Sequence, residues 1–131
     1  MNLEAKNYKV FLEQTFPRMY QLATKQGWHI KEAKYSPEAF GDALVDLESR
    51  DFNIRITRDR SQIFIYVSRP ESSHWYDLVA LLGDDFKDNH NLFSENTVVN
   101  LLERNLLKIP ALLMKNRTWV GQLFEWLKRR K

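Results

Sequence analysis

One stretch decides the fold: ALVDLESRDFNIRITRDRSQIFIYV, residues 43–67. Apolar and polar residues alternate through most of it, which is the period of a half-buried β-strand. Turn residues separate three such segments at Ser49-Arg50 and at Asp59-Arg60. The three predicted strands are Ala43–Glu48, Asp51–Ile56 and Gln62–Val67.

Both turns place the same apolar side chains on one face of the predicted sheet. The first turn sets Leu47 opposite Phe52, and the second sets Ile54 opposite Ile65. The residues that share this face are Ala43, Val45, Leu47, Phe52, Ile54, Ile56, Ile63, Ile65 and Val67. A slip of one residue would move a strand's apolar set to the other face. Agreement between two independent turns therefore predicts an antiparallel meander.

The chain on the N-terminal side of the meander predicts one more strand and a helix. Residues 28–35, bounded by Gly27 and Ser36-Pro37, are typical of a strand. Residues 3–26 have the spacing of one helical face, and Pro17 predicts a kink there or a break into two helices. The apolar residues with this helical spacing are Tyr8, Leu12, Phe16, Met19 and Ala23.

The chain on the C-terminal side of the meander returns to a helical period. A short helix capped by Ser73 and ended by Gly83 is predicted, and its apolar residues are Trp75, Leu78, Val79 and Leu82. Ser94 is placed to cap the next helix, and Pro110 either kinks it or opens another. A last apolar stripe is formed by Trp119, Val120, Leu123, Phe124 and Leu127.

These elements predict an α+β fold in a single domain, residues 1–131. An antiparallel β-meander of about four strands, roughly residues 28–67, is flanked by an N-terminal helix and by three to four C-terminal helices. With 131 residues, of which 44% are hydrophobic, the chain is long enough to bury a core. No apolar stretch approaches the ~20 residues of a membrane-spanning helix. The expectation is a soluble, cytoplasmic protein without membrane association.

Composition removes several kinds of chemistry. The chain has no cysteine, so disulfides, CxxC redox pairs and cysteine-ligated zinc are excluded. Glycine stands at positions 27, 41, 83 and 121 alone, which excludes the glycine-rich phosphate loops and the GxSxG nucleophile motif. We therefore expect no catalytic residue, no cofactor and no enzymatic activity.

Two groups of polar residues invite a metal or acid/base interpretation. His74 and Asp77 would share one face of a helix start, although Asp77 would equally complement the helix N-terminus beside a solvated His74. The segment Asp84–Asn91 is acidic, yet an EF-hand loop begun at Asp84 matches its pattern only at Glu95. A solvated loop and a cation site both stay open for that segment, and no metal site is predicted.

The second face of the predicted meander is the most informative surface. Its residues are Leu44, Asp46, Glu48, Asn53, Arg55, Thr57, Gln62, Phe64 and Tyr66. The predicted register sets Arg55 opposite Phe64 and Asn53 opposite Tyr66. One interpretation has a helix covering this face, with Arg55 paired to Asp46 or Glu48. The other has an exposed platform of aromatic residues and arginine, the residue types enriched at protein interfaces.

The candidate partner-binding residues are Leu44, Asp46, Glu48, Arg55, Phe64 and Tyr66. Asp46 and Glu48 also have the spacing of an acid/base pair on one strand. A nucleic-acid interface is the alternative, because aromatic residues on a sheet can stack bases. Its cations would be Arg55, Arg58, Arg60 and Arg69. The acids that dilute this positive charge are Asp46, Glu48, Asp51 and Asp59, and the glycine-aromatic run of RNA-binding sheets is absent.

Four short runs provide a family resemblance over about residues 40–80: Gly41–Ser49, Ile54-Arg55, Asp59–Ile63 and Trp75–Leu78. In these runs the chain resembles small uncharacterised bacterial proteins. Some proteins of that size and composition are immunity proteins of toxin–immunity systems. The resemblance implies a cytoplasmic, non-enzymatic protein that binds and neutralises one cognate protein toxin.

One feature departs from the pattern that this resemblance implies. Inhibitors of nucleases are usually acidic overall, whereas this chain has a net charge of +3. The acidic segment Glu71–Glu103 is the part that would have to contact a nuclease.

Overall fold

A computed structural model describes residues 3–39, 41–83 and 93–115. The strands form one antiparallel sheet in the order β1-β2-β3-β4-β5, so the predicted α+β fold with a β-meander is confirmed. The strands are β1 (His29–Ser36), β2 (Asp42–Glu48), β3 (Asn53–Asp59), β4 (Gln62–Ser68) and β5 (Tyr76–Asp77). The α-helices are α1 (Tyr8–Thr15), α2 (Pro17–Gln26), α3 (Leu78–Leu82), α4 (Glu95–Arg104) and α5, which begins at residue 109 and is described to residue 115. Single 3-10 turns occupy Ala5–Asn7 and Pro37–Ala39.

The predicted register is wrong by two residues in both hairpins. Val45 pairs with Ile56 rather than Ile54, and Ile54 pairs with Val67 rather than Ile65. The first loop has four residues, 49–52, closed by a bond from the Ser49 N–H to the Phe52 carbonyl (3.0 Å). The second turn lies one position later than predicted, and both its residues have positive φ (52° and 71°), the geometry of a tight hairpin turn.

A shift of two residues leaves every side chain on its predicted face. All nine apolar residues of the predicted core face are buried in the structure. They pack against the helices, where α1 contacts β1 while α3 and α4 contact β4. The helical residues of this core include Leu12, Phe16, Met19, Leu22, Leu78, Val98, Leu101, Leu102, Ile109 and Leu113.

Pro17 breaks the N-terminal segment into two helices, which is one of the two predicted outcomes. Phe16 leaves helical geometry (φ −133°, ψ 69°), and Pro17 occupies the first turn of α2, where its missing N–H costs nothing. Gly27 ends α2 in the left-handed conformation (φ 71°), which glycine adopts without strain. The chain then enters β1 one residue later than predicted.

The prediction of a helix capped by Ser73 is wrong, because a fifth strand precedes the helix. Trp75 lies in the connection, and Tyr76–Asp77 pair with β4. The side chain of Asp77 is the N-cap of α3, since its Oδ1 accepts the N–H groups of Val79 (2.8 Å) and Ala80 (3.3 Å). Asp77 therefore complements a helix N-terminus, and it shares no helical face with His74.

Two predictions for the C-terminal part are confirmed, the cap at Ser94 and the opening of another helix near Pro110. Ser94 caps α4 by accepting the N–H of Thr97 (3.3 Å). The helix ends at Arg104, and α5 begins at residue 109 with Pro110 in its first turn. The loop Asp84–Asn91, the stripe 119–127 and the basic residues 128–131 lie outside the described residues.

A carboxylate of α4 caps α2, which is distant in sequence. Glu95 Oε2 accepts the backbone N–H groups of Arg18 (2.9 Å) and Met19 (3.1 Å) in the first turn of α2. Arg18 in turn donates to Asn100 (2.8 Å) and Glu103 (2.7 Å) of α4. The two helices are thus joined by polar bonds that satisfy helix-terminal donors.

The Glu95 cap predicts a dependence of stability on pH. Burial raises the pKa of Glu95 above its usual value, against the lowering effect of the two N–H donors. A carboxyl whose pKa is higher in the folded state stabilises the fold less as pH rises from its unfolded pKa through its folded pKa. Glu95→Gln keeps an acceptor oxygen and has no charge. We expect the free energy of unfolding of this variant, relative to that of the wild type, to increase from about pH 4 to about pH 7.

The measurement is the urea midpoint of the wild type and of Glu95→Gln, each at about pH 4 and at about pH 7. Glu95→Ala is the control, because it removes the cap and should cost about 1 kcal/mol at pH 7. A difference between Glu95→Gln and wild type that is the same at both pH values would contradict the prediction.

Candidate protein-binding face

The sheet face opposite the core, called the open face here, contains the candidate residues. The described helices pack on the apolar face, and most side chains in the middle of the open face are partly exposed. The partly exposed ones are Leu44, Glu48, Arg55, Thr57, Phe64 and Tyr66. Of the two interpretations of this face, the structure of the described residues favours the platform, with Arg55 nevertheless paired to Asp46.

A row of polar side chains crosses all five strands of the open face. Glu32 pairs with Asp46, Asp46 with Arg55, Arg55 with Tyr66, and Tyr66 with Asp77. Directly paired residues place their side chains on the same face at contact distance. The predicted register sets Arg55 opposite Phe64 and Asn53 opposite Tyr66, and both of these pairings are wrong.

Thr57, rather than Arg55, lies opposite Phe64, and Ser68 lies opposite Asn53. The cause is the same two-residue shift that the longer first loop and the later second turn produce.

Arg55 is fixed from two sides at the centre of this row. Its Nε donates to Asp46 Oδ1 (2.7 Å) and its Nη2 to Asp46 Oδ2 (2.9 Å), a bidentate pair. Its Cζ lies 4.3 Å from the ring centroid of Trp75, within cation–π distance. The hydrogen bonds with Asp46 raise the pKa of Arg55, against the lowering effect of its burial. The guanidinium is therefore charged, and the carboxylate of Asp46 balances its charge.

Aromatic residues extend along β4 from this centre. The rings of Phe64 and Tyr66 lie side by side at 6.5 Å between centroids, and Phe93 packs on Phe64 at 5.3 Å. Burial raises the pKa of Tyr66 above its usual value, and the negative charges of Asp77 and Asp59 raise it further. The phenol is therefore neutral at physiological pH, and Asp77 and Asp59 contribute a negative electrostatic potential around it.

One end of the open face is closed by the connection between β4 and β5. Asn53 is buried, and its amide donates to the carbonyls of Arg69 (3.3 Å) and Pro70 (3.2 Å). It thus fastens this loop to the beginning of β3 and is not accessible to a partner. Asp46 is also only 7% exposed. Within the chain, both of its carboxylate oxygens accept bonds from Arg55 and hold that guanidinium in place.

The arrangement gives Asp46 and Glu48 little capacity for acid/base chemistry as a pair. Both oxygens of Asp46 accept bonds from Arg55, and Glu48 lies 3.5 Å from the ammonium of Lys31. A general base needs a free oxygen within hydrogen-bond reach of its substrate. Among the residues that the structure describes, no group of three or more His, Asp and Glu side chains is placed to hold a metal ion.

Two of the four arginines considered for nucleic acid are engaged within the chain. Arg55 is paired with Asp46, and Arg58 donates from Nε (3.1 Å) and Nη2 (2.8 Å) to the carbonyl of Gly41. Arg60 is exposed at the β3–β4 turn. The fourth arginine, Arg69, is partly exposed in the connection between β4 and β5.

Trp75 is one of three residues of this site that the sequence did not predict. Its spacing to Leu78 and Leu82 was typical of a helical stripe, which concealed its position over the sheet. Glu32 and Asp77 were missed for another reason, since only the pairing of β1 and β5 brings them into the row. For Trp75, the sequence signal that could have indicated a strand was the aromatic pair Trp75-Tyr76.

In comparisons with known proteins, no family model, no curated protein and no solved structure matches this chain. Within the described part of the chain, no helix has both the length and the apolar character needed to cross a membrane. The function is therefore inferred from the residues of the open face.

Proposed function

We propose that this chain is a small binding protein without catalytic activity, and that its open face docks on another protein. The observation that supports this most directly is the fixed arrangement of Arg55 between Asp46 and Trp75, beside the partly exposed Tyr66 and Phe64. Arginine, tyrosine and tryptophan dominate the energetics of protein interfaces. Side chains held in place before binding lose little conformational entropy on association.

The more specific form of the proposal is an immunity-type inhibitor that binds and neutralises a cognate protein toxin in the cytoplasm. The residues with the family resemblance lie in β2, β3, the β3–β4 turn and the segment from Trp75 to Leu78. These elements supply Asp46, Arg55 and Trp75 to the open face. The resemblance and the site thus fall on the same part of the chain.

The experiment is a binding measurement with the product of the reading frame next to this gene, the first candidate for a cognate toxin. We expect Tyr66→Ala to weaken that complex at least about tenfold, because a desolvated aromatic contact is lost. The free protein should keep its urea midpoint, since Tyr66 is partly exposed and lies outside the core. Titration calorimetry gives the affinity.

Val10→Ala is the control, because Val10 is 55% exposed on α1, far from the open face. It should leave the affinity unchanged. An equal loss of affinity in both variants, or a clear loss of stability in Tyr66→Ala, would contradict docking at the open face. Absence of binding between the two wild-type proteins would contradict the immunity-type function.

A further inference from the structure

The charges of the open face differ in sign from the charge of the whole chain. Alternation and register place six carboxylates on this face: Glu32, Asp42, Asp46, Glu48, Asp59 and Asp77. Among the described residues, the strands of this face supply three cations: Lys31, which reaches Glu48 from the β1 bulge, Lys34 and Arg55. Arg60 is exposed at the adjoining β3–β4 turn. The face is thus negative overall, whereas the chain has a net charge of +3.

Arg55 and Asp46 neutralise each other at 2.7 Å, so this pair adds little potential of either sign for a partner. The other two of these three cations are the lysines. Their ion pairs are long, at 3.5 Å from Lys31 to Glu48 and 3.4 Å from Lys34 to Glu32. All four side chains are between 39% and 55% exposed. Exposed pairs of this kind contribute little stability, so a partner's cation can replace a lysine at small cost.

A second observation locates the negative potential at the aromatic residues. Asp77 and Asp59 both raise the pKa of Tyr66 through their charge. Asp77 pairs directly with Tyr66, whereas Asp59 lies at the end of β3, opposite Gln62. Asp77 also caps α3 with its Oδ1, so its charge acts on the phenol through space rather than as a free ligand. The negative potential at this ring favours a positively charged contact.

We infer that the partner of the open face presents a basic surface, whose lysine or arginine side chains bind Glu32 and Glu48 around an apolar contact on Tyr66 and Phe64. This inference rests on the proposed function and adds the chemistry of the partner. A polyanion such as nucleic acid would be repelled by the same carboxylates. Complementary charge also speeds association and makes it sensitive to salt.

The test uses a decalysine peptide as the probe and the full chain labelled with nitrogen-15. Amide shifts at about 20 mM and about 200 mM NaCl locate the peptide and measure its affinity. We expect the largest shifts in β1, β2 and β4 on the open face, and weaker binding at the higher salt. The paired variant Glu32→Gln/Glu48→Gln should bind decalysine at least about threefold more weakly.

The matched control is Glu4→Gln/Glu13→Gln, which changes the net charge by the same amount on the exposed N-terminal segment. Its affinity for decalysine should equal that of the wild type. Shifts located elsewhere, or equal losses in both pairs, would overturn the inference. Binding of a ten-nucleotide single-stranded DNA to the open face would overturn it as well.

Failure of this inference is distinguishable from failure of the proposed function. If Tyr66→Ala weakens the complex with the neighbouring gene's product but Glu32→Gln/Glu48→Gln does not, the open face is the docking site and its partner is not basic. If neither variant changes the complex, docking at the open face is wrong.

Discussion

Ile54→Ala should lower the free energy of unfolding by roughly 2–5 kcal/mol. Ile54 is fully buried at the centre of the sheet, where it pairs with Leu47 on β2 and with Val67 on β4. The substitution removes three carbon atoms that pack among these side chains. Neighbours on a hydrogen-bonded strand are held by the ladder, so the sheet collapses only partly around the cavity.

Urea or thermal denaturation measures the effect. Ile54→Val is the graded control, since it removes a single methylene and should cost about 0.5–1.5 kcal/mol. Val10→Ala, on the exposed side of α1, should stay within about 0.5 kcal/mol of the wild type. An unchanged midpoint for Ile54→Ala would show that this side chain does not belong to the core.

Asp46→Ala should cost roughly 1–3 kcal/mol, because it leaves the Arg55 guanidinium without its bidentate acceptor. The lower part of this range applies to the extent that water reaches Arg55, whose side chain is 29% exposed. The released guanidinium should also leave its place on the Trp75 ring. We therefore expect a change in tryptophan fluorescence together with the loss of stability.

A double-mutant cycle separates the pair from its surroundings. Arg55→Met keeps much of the aliphatic stem and removes the charge. If the pair is the source of the effect, Asp46→Ala should cost markedly less in the Arg55→Met background than in the wild type. Additive losses would show that Asp46 acts through contacts other than Arg55.

Most of the core could be predicted from sequence because alternation has a period of two. Any register error by an even number of residues keeps each side chain on its face, so the buried set survives a wrong pairing. Which residues pair across the strands is decided by the length of each loop. Loop length depends in turn on particular hydrogen bonds, such as those between Ser49 and Phe52. Neither Ser49-Arg50 nor Asp59-Arg60 has the Asn-Gly or Asp-Gly sequence that would have fixed a turn position.

The candidate site was predictable only in part, for the same reason. Arg55, Phe64 and Tyr66 follow from alternation within one strand each. The contacts between them depend on register, so Tyr66 rather than Phe64 lies beside Arg55. The position of Trp75 could not be predicted, because Trp75 lies in an irregular connection between β4 and β5. The apolar residues from Trp75 onward have the spacing of a helix, which gave the wrong prediction.

The edges of the sheet have a consequence for behaviour at high concentration. A long, flat edge strand is a template on which other copies of a chain polymerise. Here β1 has an irregularity between Ile30 and Glu32, and the Leu3 N–H occupies the carbonyl of Ala33 on its outer side. At the other edge β5 has two residues, and beyond it the N–H of Ile63 on β4 is bonded to the carbonyl of Phe93. Growth of the sheet into fibrils is thereby disfavoured.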